Sequence, residues 1–170
     1  METVRKIEPS LPPAPMSLEA LYYEYSDMLY RLALVRTRNR QDAEDAVSEA
    51  FLRCIRKNPK FENAEHQKAW LITVTINCSK SIVTSAFRRH TATEDPTASV
   101  CDPDRDENGV YAAVLKLPEK QRTAVHLFYY EGYSVLEIAN IMASPESTVK
   151  SWLFRARQQL KEMLGDNGYV

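Results

Sequence analysis

The chain has 170 residues, of which 44% are hydrophobic and 26% charged, with 9 Pro, only 4 Gly, and 22 Lys+Arg against 23 Asp+Glu for a formal net charge of -1. That composition belongs to a globular protein of one ordinary domain or two small ones, and the pI near 6.3 argues at first sight against a partner as acidic as nucleic acid. Every glycine lies at or after Gly109, which excludes a glycine-rich phosphate loop or dinucleotide fingerprint from the first 108 residues. Cys54, Cys78 and Cys101 form no CxxC pair, and His66, His90 and His126 form no HExxH, so no disulfide framework, metal site or cofactor is expected. Residues 1–17 mix charges with prolines, and no apolar run approaches the roughly 18 residues that span a bilayer. The expectation is a soluble cytoplasmic protein with no membrane insertion.

In chain order, residues 1–16 read as a flexible proline-rich tail. Leu18, Leu21, Tyr22, Tyr25, Met28, Leu29 and Leu32 then recur at helical spacing behind Ser17 as N-cap. A second helix is predicted from near Asn39 to about Lys57, stopped by Asn58-Pro59. Its core stripe is Ala43, Val47, Ala50, Phe51, Cys54 and Ile55, with Asp42, Asp45 and Glu49 on a separate acidic face. A third spans about Ala64 to Arg89, burying Leu71, Val74, Cys78, Ile82 and Ala86 and presenting Asn77, Lys80, Ser81, Thr84 and Arg88 on another side. Its Ile72 to Ile76 run is β-branched and alternates like a strand. The helical pattern nevertheless continues on both flanks, and a lone strand would have no partner.

Residues 91–110 have the Pro, Ser, Thr and Asp content of a flexible acidic linker. Beyond it, Val110 to Leu117 predicts a short helix ended by Pro118, and Glu119 to Glu131 another, closed by Gly132. Ser134 and Glu137 fit a capping box opening a short helix. Ser144-Pro145 then supplies an N-cap with Pro at the first helical position for a last helix to about Met163. Two helices separated by about three residues, with Ala139 at the fifth position of the first, have the geometry of a helix-turn-helix.

In the last helix Val149, Leu153, Ala156 and Leu160 supply the inward stripe, so Thr148, Lys150, Ser151, Phe154, Arg155 and Arg157 face out. Such a face suits a major groove: arginine reaches guanine O6 and N7, hydroxyls reach phosphates or base edges, and phenylalanine touches a thymine methyl. An ordinary solvated helix face is the competing account, and the capped helix and tight turn before it favour the groove. The stripe of Asn77, Lys80, Ser81, Thr84, Arg88 and Arg89, with Trp70 upstream on a similar bearing, combines cations, an amide and a stacking ring. It reads equally as a wet face beside a core tryptophan. The acidic face Asp42, Asp45, Glu49 either complements a helix dipole or docks a basic partner.

The runs Asp42-Ala43-Glu44-Asp45-Ala46-Val47-Ser48-Glu49-Ala50-Phe51-Leu52-Arg53, Ala69-Trp70-Leu71, Asn77, Leu117-Pro118, Tyr129-Tyr130-Glu131-Gly132, Glu137-Ile138-Ala139, Thr148-Val149-Lys150-Ser151 and Arg155-Ala156-Arg157 together resemble a bacterial RNA polymerase sigma factor of the extracytoplasmic-function (ECF) type. The motifs follow that family's order and spacing and cover essentially residues 17 to 164. The resemblance implies an all-α protein of two small helical domains, sigma region 2 over 17–90 and sigma region 4 over 111–164, joined by the linker and followed by a short tail at 165–170. It further implies a non-enzymatic initiation factor whose partners are core RNA polymerase, through the β′ clamp helices and the β flap, promoter DNA and an anti-sigma factor.

On that resemblance Asp42, Asp45 and Glu49 meet the clamp helices. Asn77 contacts an extruded base of the minus-ten element, helped by Trp70, Ser81 and Thr84, with Lys80, Arg88 and Arg89 on phosphates. Ser151, Phe154 and Arg155 lie near bases of the minus-thirty-five element, with Thr148, Lys150 and Arg157 beside them or on the backbone. The sequence departs from the family at Ala143, where glycine is usual, at Ser144, where a hydrophobic residue is usual, and at the small Ala46, Ser48 and Ala50. A helix-turn-helix regulator that does not engage polymerase is the alternative, although it would have no need of the 17–90 motifs. An enzyme is disfavoured because no nucleophile, base and orienter can be named. Charge by segment removes the opening objection: residues 1–90 hold 14 Lys+Arg and 11 Asp+Glu, 91–110 hold 1 and 6, and 111–170 hold 7 and 6. The acid is concentrated in the linker, and both blocks read as DNA-binding are mildly basic.

Overall fold

The computed structural model describes residues 17–89 and 109–165, and every regular element among them is helical. The tail of 1–16, most of the acidic linker with Cys101, and residues 166–170 lie outside the described residues. The first half comprises α1 (Leu18–Thr37), α2 (Arg40–Lys57) and α3 (Ala64–Arg89). Ser17 caps α1 by accepting from the Ala20 N–H at 3.2 Å, and Asn39 caps α2 by accepting from the Asp42 N–H at 3.0 Å. Arg38 and Asn58 close α1 and α2 in the left-handed conformation, each cap N–H bonding a carbonyl four residues back.

These three helices pack mutually. On α2 the buried set is Ala43, Ala46, Val47, Ala50, Phe51 and Cys54, spaced i, i+3, i+4, i+7, i+8 and i+11. The three alanines have no exposed surface and let α2 approach its neighbours closely, against the fully buried Leu29, Leu32, Leu71 and Ile72. Each of those large side chains contributes about 1.5–3 kcal/mol on burial. Ala46 and Ala50 are therefore packing residues.

Several expected core positions lie elsewhere. Leu18 and Tyr22 are exposed, in the first turns of α1 at the edge of the three-helix contact, where the Tyr22 ring rests against Phe51 at 5.1 Å. Ile55 is exposed as well, lying one position past the arc that α2 buries. On α3 the buried arc is wider than one stripe because it packs on both α1 and α2. Ile72, Thr75, Ile76 and Ser79 join Leu71 and Cys78, while Val74 and Ile82 are half-buried. The β-branched run is helical as expected. Thr73 donates its hydroxyl to Ala69 O at 2.9 Å and Ser79 to Thr75 O at 2.8 Å, so these hydroxyls are satisfied by the helix's own backbone.

The second half comprises α4 (Val110–Lys116), α5 (Glu119–Val125), α6 (Val135–Ile141) and α7 (Glu146–Leu164), the first three packed on α7. The single α-helix expected over Glu119 to Glu131 instead ends at Val125 and widens into a π turn over His126–Tyr130. Glu131 N–H bonds His126 O, five residues back, and Tyr133 N–H bonds Leu127 O, one residue farther than an ordinary glycine closure requires. Gly132 still supplies the positive φ of 72° that ends it. The capping box on α6 is complete, with Ser134 N–H donating to Glu137 Oε2 at 2.8 Å and Glu137 N–H to Ser134 Oγ at 3.3 Å.

One capping assignment changes. Pro145, with ψ 147°, is itself the N-cap of α7, its carbonyl accepting from Thr148 and Val149, while Ser144 donates its hydroxyl to Met142 O at 3.1 Å. Before it, Ala143 holds φ +48°. A Cβ in the left-handed region costs about 1–2 kcal/mol, partly offset by the greater freedom glycine has in the unfolded chain. Ala143→Gly should therefore stabilise the second half by about 0.5–1 kcal/mol, seen as a rise of about 1–4 °C in thermal unfolding followed by circular dichroism. An unchanged or lower midpoint would show that Ala143 is unstrained.

Candidate nucleic-acid interface

The face of α7 forms as its periodicity requires. Val149, Leu153, Ala156 and Leu160 are buried, and Lys150, Ser151, Phe154 and Arg155 are exposed, with Phe154 at 58%. Thr148 and Arg157 are half-buried at the margins of that face. An aromatic ring left 58% exposed beside two cations stands ready for an apolar or stacking contact rather than for the core. Ser151 donates its hydroxyl to Ser147 O at 2.9 Å, which leaves its oxygen as an acceptor. In this rotamer it suits a base amino group better than a phosphate.

Along α3, Asn77, Lys80, Ser81 and Thr84 share an exposed face, and Arg88 and Arg89 occupy the last turn. Ser81 donates to Asn77 O at 3.1 Å and Thr84 to Lys80 O at 2.8 Å, so both hydroxyls are again tied to backbone. Trp70 is half-buried and packed against the core, its ring edge-on to Phe61 at 5.7 Å. Phe61 also meets His66 edge-on at 5.7 Å. Trp70 is thus held by an aromatic cluster at the start of the stripe. Sequence periodicity missed Phe61 and His66 because Phe61 lies in the turn before α3.

The acidic face of α2 is partly occupied from within. Asp45 accepts from Gln41 Nε2 at 3.1 Å, and Glu49 Oε1 accepts from Arg53 Nε at 2.9 Å with Arg56 Nη1 at 3.5 Å. Asp42 is half-buried in the first turn, where the helix dipole favours a negative charge, and Asp45 is the exposed member of the three. Leu52 and Ile55 are exposed on the same helix.

Sequence reasoning also missed the groups that join the two halves. Arg36 and Arg122 are buried, and no sequence signal marks Arg122, whose neighbours Lys120, Gln121 and Thr123 are polar. Arg36 pairs with Glu119 and donates Nη1 to Thr123 Oγ1 at 2.8 Å. Arg122 donates to the carbonyls of Val35, Arg36 and Leu117. Burial, with Arg38 and Arg36 adding like charge against Glu119, pushes the Arg122 guanidinium down to about 10, still a cation at neutral pH.

Nearby, Lys68 Nζ lies 3.9 Å from Glu131 Oε2 and over the Tyr133 ring at 5.3 Å. His126 Nε2 is 3.4 Å from Glu131 Oε1, and its ring stacks on Tyr130. The facing His126 imidazole, opposed by burial and helped by Lys68 and Arg31, holds the Glu131 carboxyl below the usual carboxylate value.

The described residues thus form two helical assemblies, each with an exposed polar face and the second with a capped helix-turn-helix. Sequence comparison matches the family descriptions of Sigma-70 region 2 to residues 21–92 and Sigma-70 region 4 to residues 108–160. The ECF RNA polymerase sigma factor SigM of Mycobacterium tuberculosis is 30% identical over 152 residues, covering 88% of this chain and 78% of that protein. The chain belongs to the ECF sigma factors.

The RNA polymerase sigma-H factor of Pseudomonas aeruginosa is 28% identical across 87% of this chain and 86% of its own. In fold, this sigma factor is similar to RpoE from Bartonella quintana, solved with the anti-sigma factor NepR, at a TM-score of 0.70 and 24% identity over 88% of this chain and 97% of that one. Region 2 accordingly lies in α1–α3 and region 4 in α4–α7. Among the described residues no helix is long and apolar enough to cross a membrane.

The depressed Glu131 carboxyl gives region 4 an acid dependence. A group whose folded pKa lies below its unfolded one stabilises above the unfolded value, here the usual 4.5, and loses that stabilisation as pH falls through the folded value. In urea unfolding the midpoint of the parent should exceed that of Glu131→Gln at pH 7, the two converging as pH drops below 4.5. A gap constant from pH 7 to pH 3 would show that Glu131 is not the titrating group.

Proposed function

We propose that this sigma factor binds core RNA polymerase through α2 and region 4, and directs initiation by reading the minus-ten element as melted single strand with α3 and the minus-thirty-five element as duplex with α7. The observation that carries this reading is the pair of exposed polar faces, Asn77 to Thr84 on α3 and Lys150 to Arg155 on α7, each backed by a buried stripe. The factor itself performs no bond chemistry. Its contribution is binding free energy for unstacked bases, a few kcal/mol for each base flipped out.

In this reading Asn77 takes an extruded base, Trp70 offers a stacking edge, Ser81 and Thr84 accept from base or sugar donors, and Lys80, Arg88 and Arg89 neutralise phosphates. On α7, Ser151, Phe154 and Arg155 meet base edges, and Thr148, Lys150 and Arg157 hold the backbone. Asp42, Asp45 and Glu49 face the β′ clamp helices, Leu52 and Ile55 adding apolar area beside them, and region 4 meets the β flap. The RpoE structure was solved as a complex with an anti-sigma factor, which supports an anti-sigma partner of the same kind here. The protein acts in the cytoplasm, where polymerase and promoters are.

Run-off transcription with core polymerase on genomic fragments tests the reading, and no promoter-specific transcript from a competent core would sink it. On a promoter found in this way, Arg155→Ala should reduce discrimination at the minus-thirty-five element by about 1–3 kcal/mol, while Lys150→Ala weakens binding evenly across sequences and lowers the salt slope by about 1. Asn77→Ala should slow promoter opening, followed by permanganate reactivity, with duplex binding retained. Opening at the parental rate would remove Asn77 from the base-reading set.

A further inference from the structure

The exposed strip of α3 extends beyond its polar members. Phe87, in the last turn of the helix, is 82% exposed, more than any other large hydrophobic side chain among the described residues. A single exposed apolar side chain is ordinary and by itself carries no meaning. Its register does. Trp70, Asn77, Lys80, Thr84 and Phe87 follow one another at i, i+7, i+10, i+14 and i+17, which places them on one line along the helix. An aromatic ring therefore stands at each end of the strip. With a rise of 1.5 Å per residue, Phe87 lies about 15 Å beyond Asn77 and about 25 Å beyond Trp70. Trp70 is half-buried and edge-on to Phe61, so it presents only part of its ring, and Phe87 is the fuller stacking surface.

Two kinds of occupant suit an exposed ring: the apolar face of a partner protein, or the face of an unpaired base. A partner helix or groove needs several apolar anchors at i, i+3, i+4 and i+7. Counting back from Phe87, those steps hold the exposed Thr84, the half-buried Val83 and the exposed Lys80, and none of the three is an exposed apolar group. Elsewhere the exposed apolar residues do cluster, Leu52 with Ile55 on α2 and Leu18 with Tyr22 and Tyr23 on α1. Phe87 is instead a ring on a cationic line, with Lys80 two turns before it and Arg88 and Arg89 next in the chain. Aromatic rings interleaved with backbone-neutralising cations are the equipment of single-strand binding. The Thr84 hydroxyl on the same line is bonded to Lys80 O at 2.8 Å, so this end of the strip offers a π-face and positive charge rather than a hydrogen-bond pattern.

We propose that Phe87 stacks a second unpaired base of the melted minus-ten strand, away from the base taken by Asn77. This role rests on the reading of the α3 strip given above, and adds to it a position recognised by ring stacking without hydrogen-bond readout. A strand rises about 3.4 Å per nucleotide when stacked and roughly twice that when drawn out, so the span from Asn77 to Phe87 corresponds to about two to four nucleotides. Stacking of this kind tolerates any base, because every base has a π-face. In duplex DNA those faces are covered by neighbouring base pairs. The Phe87 contact therefore forms only after melting and favours the open promoter without adding to duplex affinity.

The test uses core polymerase reconstituted with the full-length factor, on a promoter recovered by run-off transcription and built with a preformed bubble over the minus-ten element. A 2-aminopurine probe, whose fluorescence is quenched by stacking, replaces one unpaired base at a time. The parent should quench it at a position about two to four nucleotides from the one that responds to Asn77→Ala. Phe87→Ala should abolish that quenching and weaken bubble binding about tenfold. Duplex affinity and the salt slope should stay as in the parent, because no phosphate contact is lost. Phe87→Trp, which keeps a stacking face, should retain both signals, and Phe87→Leu, apolar without a ring, should behave as Phe87→Ala does. Circular dichroism establishes that each variant is folded. Parental quenching and affinity in Phe87→Ala overturn the stacking role. So does a Phe87→Leu variant that performs as the parent does, which would mean an apolar contact with a partner protein, and so does an equal loss on bubble and duplex. Those results leave the reading of α3 standing, whereas absence of any promoter-specific transcript by the parent overturns that reading and the stacking role with it.

Discussion

How closely α2 can approach α1 and α3 governs the rest of region 2. Ala43, Ala46 and Ala50 carry no exposed surface, so the helix lies against its neighbours at short range with Val47, Phe51 and Cys54 filling the space between. A narrow buried arc made of small residues leaves most of the α2 circumference in solvent. That is why Asp45, Leu52 and Ile55 are available to a partner. The same contact forces α3 to bury a wide arc against two helices and leaves it one polar strip, the Asn77 to Thr84 face. The position of that exposed polar strip thus depends on the size of three side chains on a different helix.

Region 4 reaches the same arrangement by other means. Its helices are short, seven residues each for α4, α5 and α6, and none would persist alone in water. They are fixed by packing on α7 and by local devices such as the Ser134–Glu137 box, the Gly132 closure and the Pro145 cap. The π turn at His126–Tyr130 shifts the register of the residues after it, and Glu131 then lies between His126 and Lys68. A helix irregularity within region 4 thereby sets one of the two contacts with region 2.

Much of this was legible in the sequence because it rests on local rules. The bounds of α2 and α3, the Ser17 and Ser134 caps, and the inward stripe of α7 follow from period and capping chemistry alone. Positions at the edges of contacts were not legible. Leu18, Tyr22 and Ile55 satisfy a helical period but fall where no neighbouring helix covers them, and a period carries no information about how far a neighbour extends. Phe61 escaped notice because its role depends on the path of a turn, and the π turn because it replaces α-helical bonds without altering the apolar pattern. Arg36 and Arg122 are informative in a different way. A buried guanidinium is costly unless it is paired and hydrogen-bonded, so each needs partners from the other half that the local sequence does not name.

The net charge of -1 acquires its meaning at this level. A factor strongly basic throughout would bind any DNA through phosphates, with an affinity owing little to sequence. Here the cations are few on each face, several hydroxyls are bonded to their own backbone, and two arginines are turned inward to join the halves. On the proposed reading each face binds weakly by itself, and useful affinity arises when both act at once on a fixed spacing, where the second contact benefits from the high effective concentration set by the first. On that reading, weak faces and an acidic linker segment act in one direction: they suppress binding to random DNA and reserve it for a site that offers both elements.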